Sequence, residues 1–115
     1  MKKIVEQGLL YDFYGELLTE HQREIYEAAV YNDMSLTEIA DENGISKQGV
    51  HDLIKRCTNT LQGYEDRLHM IRRFEAVKAQ AVALDELSSD ENIVIDSELR
   101  DKLKMISGKI IEELI

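Results

Sequence analysis

The sequence predicts an all-α protein: a helical bundle carrying a helix-turn-helix, with a long fourth helix and a further helix towards the C-terminus. Three observations predict it. There is no proline, so nothing removes a backbone donor or clashes with the preceding turn inside a long helix. Apolar residues recur at spacings of three and four along most of the chain, the period of an amphipathic helix. Two segments of the Ser/Thr-x-x-Glu/Gln type stand directly ahead of such stretches, where they can cap a helix start.

The elements follow in order. Leu9, Leu10, Phe13, Tyr14 and Leu17 mark a first helix over about 3–18. Thr19-Glu20-His21-Gln22 is a capping box opening a second helix, about 20–31, with Ile25, Ala28 and Ala29 on its inner side. Asn32-Asp33 ends it in a turn. Ser35-Leu36-Thr37-Glu38 is the second capping box, and the third helix runs about 36–43. Gly44 follows where a chain leaving a helix often needs positive φ, and Ser46 is placed to cap the fourth helix. Val50, Leu53, Ile54 and Cys57 form the buried stripe of that helix, continued by Leu61, Tyr64, Leu68, Ile71 and Phe74. No strong stop precedes Ser88-Ser89-Asp90. One helix from 46 to 87 would be about 60 Å long, against a radius of gyration of about 13 Å for a globule of this size. Either it breaks, with Gly63 the weakest point, or part of it packs on another chain. Residues 88–95 read as a loop. Asp96 or Ser97 caps a last helix with Leu99, Leu103, Ile106, Ile110 and Leu114 on one face.

The chain's 115 residues amount to one ordinary domain. The expected division is a helix-turn-helix domain over 1–78, its motif at about 35–56, and a helical extension over 79–115 that packs or dimerises. The apolar runs are far shorter than the roughly 20 residues a membrane span needs, and the opening Met1-Lys2-Lys3-Ile4-Val5-Glu6 has no signal-peptide core. A single cysteine, Cys57, excludes an internal disulfide and suits a reducing cytoplasm.

The net charge is −9, which argues against a general nucleic-acid binder. Its distribution matters more. Residues 35–45 carry three acidic groups and no basic one, whereas residues 46–78 carry seven basic and four acidic groups. The positive charge is concentrated just after the turn of the motif.

The motif spans Leu36 to Ile54. A helix-turn-helix packs two short helices steeply across a tight turn, and each requirement has a residue here. Ala40 allows close approach, Gly44 makes the turn, and Ile45 can plug it into the core. Leu36 and Ile39 supply the first helix's apolar side, and Val50 and Leu53 seat the second helix on it. Asn43 stands where an apolar residue is usual. A plain helical hairpin with a glycine turn satisfies the same spacing.

Ser35-Leu36-Thr37-Glu38-Ile39-Ala40, Gly44-Ile45-Ser46-Lys47-Gln48-Gly49-Val50, Ile54-Lys55-Arg56 and Tyr64-Glu65-Asp66-Arg67-Leu68-His69-Met70 resemble the YlxM family of small bacterial proteins. Phe13-Tyr14-Gly15-Glu16-Leu17-Leu18-Thr19 fits its N-terminal signature. The resemblance covers about residues 9–75. It implies a helix-turn-helix similar to region 4 of bacterial sigma factors. It also implies a link to the signal recognition particle, because family genes typically lie beside the gene for the particle's GTPase subunit.

For DNA binding, the fourth helix would be the reader, with its N-terminal residues at base edges. Its first turns offer Ser46, Lys47, Gln48, His51, Asp52, Lys55 and Arg56. Gln48 can pair with adenine and Lys47 with guanine or phosphate, while Lys55 and Arg56 suit phosphates. The same side chains also describe an ordinary solvated helix face, and Glu38, Asp41 and Glu42 would repel the phosphate backbone. The alternative is a scaffold that binds the particle's GTPase subunit or its RNA. The acidic balance favours a basic protein partner over bare DNA. A homodimer through the extension of the fourth helix and the last helix is expected on the length argument.

No catalytic constellation is visible: no phosphate-cradling glycine loop, paired cysteines or serine nucleophile elbow. The histidines, His21, His51 and His69, have no metal-ligand spacing. No enzyme activity, cofactor, metal or small-molecule substrate is expected. Cys57 reads as a small core residue, and Asp85-Glu86 and Asp90-Glu91 as solvated charges. Gly49, unusual inside a helix, marks either a close approach to a ligand or a weak turn.

Overall fold

The computed structural model describes residues 2–115, with side chains from Ile4 onward. Every regular element among them is helical: α1 (Lys2–Tyr14), a 3₁₀ turn (Gly15–Leu17), α2 (Glu20–Val30), α3 (Leu36–Asn43), α4 (Lys47–Leu68), α5 (Met70–Ser89) and α6 (Ser97–Leu114). The chain divides into two compact units, Met1–His69 and Met70–Ile115. The division falls nine residues before the boundary at 78 that the charge pattern suggested.

In the first unit the caps form as the sequence requires. Thr19 Oγ1 accepts from the Gln22 amide at 3.2 Å, and Gln22 Oε1 accepts from the Thr19 amide at 2.9 Å. Ser35 and Glu38 make the same reciprocal pair at 3.1 and 3.3 Å. Each box satisfies two amides that a helix start otherwise leaves orphaned. The first helix stops at Tyr14, earlier than expected, and tightens into the 3₁₀ turn. Leu18 is buried there, while Leu17, assigned to the apolar face by spacing, is 59% exposed. The tighter turn rotates the register by about one residue.

The core runs from Leu10, Tyr14 and Leu18 through Ile25, Tyr26, Ile39, Ala40 and Val50 to Cys57 and Leu61. Ile25, Ile39, Ala40 and Val50 form the cluster that locks α2, α3 and α4 together, with Leu36, Leu53 and Ile54 packed against it. Tyrosines tie α1 to α2 and α4. Tyr26 is fully buried, and its hydroxyl pairs with Thr58 Oγ1 at 2.8 Å. Tyr14 donates to Glu65 Oε1 at 2.6 Å, Tyr11 to Glu27, and Tyr31 to Asp12.

The long helix breaks at His69, not at Gly63. His69 adopts the left-handed conformation (φ 55°, ψ 30°), and its amide closes α4 on the Glu65 carbonyl at 2.8 Å. Glycine lowers helix stability by only about 1 kcal/mol relative to alanine, and Gly63 lies just beyond buried Leu61, where packing holds the helix. At Leu68, 50% exposed, that hold is gone. Histidine is one of the few side chains enriched in the left-handed region.

The second unit is an antiparallel hairpin of α5 and α6 joined by residues 90–96. Asp96 caps α6, accepting from the Leu99 amide at 3.0 Å. No side chain of either helix is fully buried.

Candidate nucleic-acid interface

The site begins at the turn between α3 and α4. Gly44 has φ 65° and ψ 30°, and the Ile45 amide reaches back to the Ala40 carbonyl at 3.2 Å. The Gly44 amide points to the same carbonyl, so the left-handed residue closes the end of α3 in a Schellman-type turn. Ile45 is 37% exposed. It is not among the residues of the buried cluster, so it does not plug fully into the core. Asn43 also finds its explanation: its Nδ2 donates to the Ile39 carbonyl at 2.8 Å, so a polar side chain serves where an apolar one is usual.

Ser46 caps α4, its Oγ accepting from the Gly49 amide at 2.9 Å. A Cβ at position 49 would lie 3.1 Å from that oxygen. Gly49 therefore makes room for the cap, and neither a ligand nor a weak turn is needed to account for it. The cap leaves the first turn of α4 free of acidic side chains, which keeps the positive end of the helix dipole available to an anion.

Val50 is fully buried and Leu53 and Ile54 half-buried, so one side of α4 is committed to the core. Ser46, Lys47, Gln48, His51, Asp52, Lys55 and Arg56 are all exposed. The helix brings these seven together on one outward side, but they are not seven independent donors. Gln48 Nε2 donates to Asp52 Oδ1 at 3.0 Å, and His51 Nδ1 lies 3.6 Å from the same oxygen. The Asp52 carboxylate ties down Gln48 and lies beside His51, at the cost of a negative charge among the lysines. Across the turn, Glu38, Asp41 and Glu42 are exposed on α3.

Two residues missed in the sequence flank this face. Gln7 of α1 and Asn59 of α4 line a groove with His51, Ile54, Lys55 and Thr58. Gln7 Nε2 donates to Thr58 Oγ1 at 3.3 Å. Asn59 continues the His51–Lys55 row at four-residue spacing and was legible on that ground; Gln7 comes from a distant part of the chain and carried no signal. Of the histidines, His21 is exposed and His69 is half-buried at the helix break. Cys57 is buried, and burial pushes its thiol pKa up. Among the described residues no helix is long and apolar enough to cross a membrane.

The sequence that builds this site has relatives. A family model described as "UPF0122: Putative helix-turn-helix protein, YlxM / p13 like" matches residues 1–106. The chain belongs to this family. The UPF0122 match extends through α5 and the first half of α6, well past the 9–75 stretch in which the sequence motifs lie. A UPF0122 protein of Acetivibrio thermocellus is 41% identical over 115 residues, covering 100% of this chain and 95% of its own. One of Thermoanaerobacter sp. (strain X514) is 40% identical over 106 residues, covering 92% and 88%. One of Symbiobacterium thermophilum is 46% identical over 89 residues, covering 74% and 83%.

Proposed function

We propose that this UPF0122 protein is a non-enzymatic, cytoplasmic regulator of the signal recognition particle pathway that binds duplex DNA through α4. One observation carries the reading: α4 leaves a Schellman turn with its apolar side locked in the core and its first two turns exposed and polar. In such a motif the second helix enters the major groove with its N-terminal residues at base edges. Lys47 and Gln48 would read bases; Lys55 and Arg56 would hold phosphates. No cofactor, metal or small-molecule substrate is called for. The link to the particle comes from the family resemblance.

Replacing Lys47 and Gln48 together by alanine tests the base-reading role. The expected result is a changed sequence preference with overall helicity retained by circular dichroism. An unchanged preference would contradict the assignment of α4 as the reader.

A second reading has its own support. Exposed Glu38, Asp41 and Glu42 beside the site, with the net charge of −9, favour a basic protein surface over bare DNA. The particle's GTPase subunit or its RNA would then be the direct partner. Co-purification of the intact protein with the isolated GTPase subunit supports this reading, and absence of association with both the subunit and the RNA removes it.

A further inference from the structure

The α5–α6 hairpin has two broad faces of different chemistry. On α5 the half-buried positions Ala76, Gln80, Ala83 and Leu87 mark the side turned to α6; on α6 the corresponding positions are Leu99, Ile106 and Ile110. A residue one step later in sequence lies about 100° further round its helix. Antiparallel helices reverse both direction and sense of rotation, so one step later on either helix falls on the same broad face of the hairpin. That face carries Val77, Ala81, Leu84 and Ser88 from α5, with Arg100, Ser107 and Ile111 from α6. Leu103 and Leu114 border the α6 row. Leu84 and Leu103 are each 40% exposed, Ile111 54% and Leu114 68%. One step earlier gives the opposite face: Glu75, Ala79, Val82 and Glu86, with Glu98, Met105 and Lys109. One face is mainly apolar across both helices, with Arg100 its one charge near the start of α6; the other is charged, with Ala79, Val82 and Met105 between the charges.

We propose that a second copy of this chain covers the apolar face, joining two hairpins into a four-helix bundle. A unit of 46 residues without one fully buried side chain has too little core to be stable by itself; domains of this size ordinarily need a staple or an oligomer. The spacing of three and four along both rows is that of bundle packing. The area is sufficient. Two helices about 30 Å long and about 10 Å wide present roughly 600 Å² per copy, or about 1,200 Å² in all, the lower bound of a specific stable interface. A second copy also supplies the same mainly apolar surface in the same stoichiometry, as an isologous contact requires. The proposal does not depend on DNA binding.

Sedimentation equilibrium of the full chain, without nucleic acid, tests it. The wild type is expected to be a dimer at micromolar concentration. Leu84→Lys and Leu103→Lys are expected to raise the dissociation constant at least tenfold. Val82→Lys and Met105→Lys, equally drastic but on the charged face, are expected to leave it within twofold. Because the hairpin of the first pair could melt when its partner is lost, Ala81→Arg, at an exposed site, serves as a further variant. Helicity of the wild type is also followed on dilution and should fall with dimer dissociation. A monomeric wild type overturns the proposal. So does a dimer broken by Val82→Lys or Met105→Lys but kept by Leu84→Lys, Leu103→Lys and Ala81→Arg.

Discussion

Gly44 turns the chain between α3 and α4 at φ 65°, and nothing lies within 4 Å of where its Cβ would be. Gly44→Ala therefore meets no steric obstacle, and its cost is the left-handed backbone alone, about 1–2 kcal/mol. Urea unfolding should show that loss; an unchanged midpoint would mean the turn relaxes to another conformation. The tyrosines give a pH signature. Tyr31 is pushed up to about 12 by burial and then by its bond to the Asp12 carboxylate. Burial is also the main cause raising Tyr11 and Tyr26 above the ordinary phenol value of 10.0. A phenol with a raised folded pKa holds its proton more tightly in the folded state. Its stabilisation is complete below pH 10.0 and disappears as pH rises through about 12. Thermal melts should lose stability over that window, and Tyr31→Phe should flatten part of the loss. Titration of Tyr11, Tyr26 and Tyr31 at the ordinary phenol value in the folded chain would contradict this. The sequence marked Tyr14 and Tyr64 as seam residues but gave no sign of the Tyr11, Tyr26 and Tyr31 cluster, whose partners Glu27, Thr58 and Asp12 lie 16, 32 and 19 residues away.

At the scale of the element, α4 carries the argument. Asp52 is the anchor of Gln48, lies beside His51 and is also the charge that opposes a phosphate. Asp52→Asn keeps an acceptor for Gln48 and removes the charge. DNA affinity at low salt should rise roughly two- to fivefold, the scale of one exposed charge interaction, and a fall would show that the carboxylate itself contacts the ligand. Lys55→Ala and Arg56→Ala should each reduce the slope of log affinity against log salt by about 1. The start of α4, all of α3 and the start of α2 were legible because their caps are local in sequence: Thr19 with Gln22, Ser35 with Glu38, Ser46 with Gly49. The breaks were not. The apolar series runs through Leu68, Ile71 and Phe74 without interruption, and a histidine in the left-handed region leaves no mark in that pattern. The partial exposure of Ile45 was hidden for a similar reason. An isoleucine after a glycine reads as a core plug until the fold shows its exposure.

For the whole molecule, the seven candidate contacts were identified from sequence as a set, but their coupling through Asp52 and the flanking Gln7 required the fold. The two units differ in what they expose: one offers a polar helix face beside a closed core, the other a mainly apolar face with no fully buried side chain beneath it. A dimer through the second unit would present two copies of α4, and two reading helices would demand half-sites one helical turn apart or a multiple of it. Selection from a library of random duplex DNA by the intact protein, at low and at moderate salt, tests the central claim most directly. The account predicts enrichment of a defined two-part site that survives moderate salt and is lost in the Lys47→Ala, Gln48→Ala variant. No enrichment, or binding that vanishes as salt rises, would contradict α4 as a DNA reader and transfer the role of direct partner to the signal recognition particle.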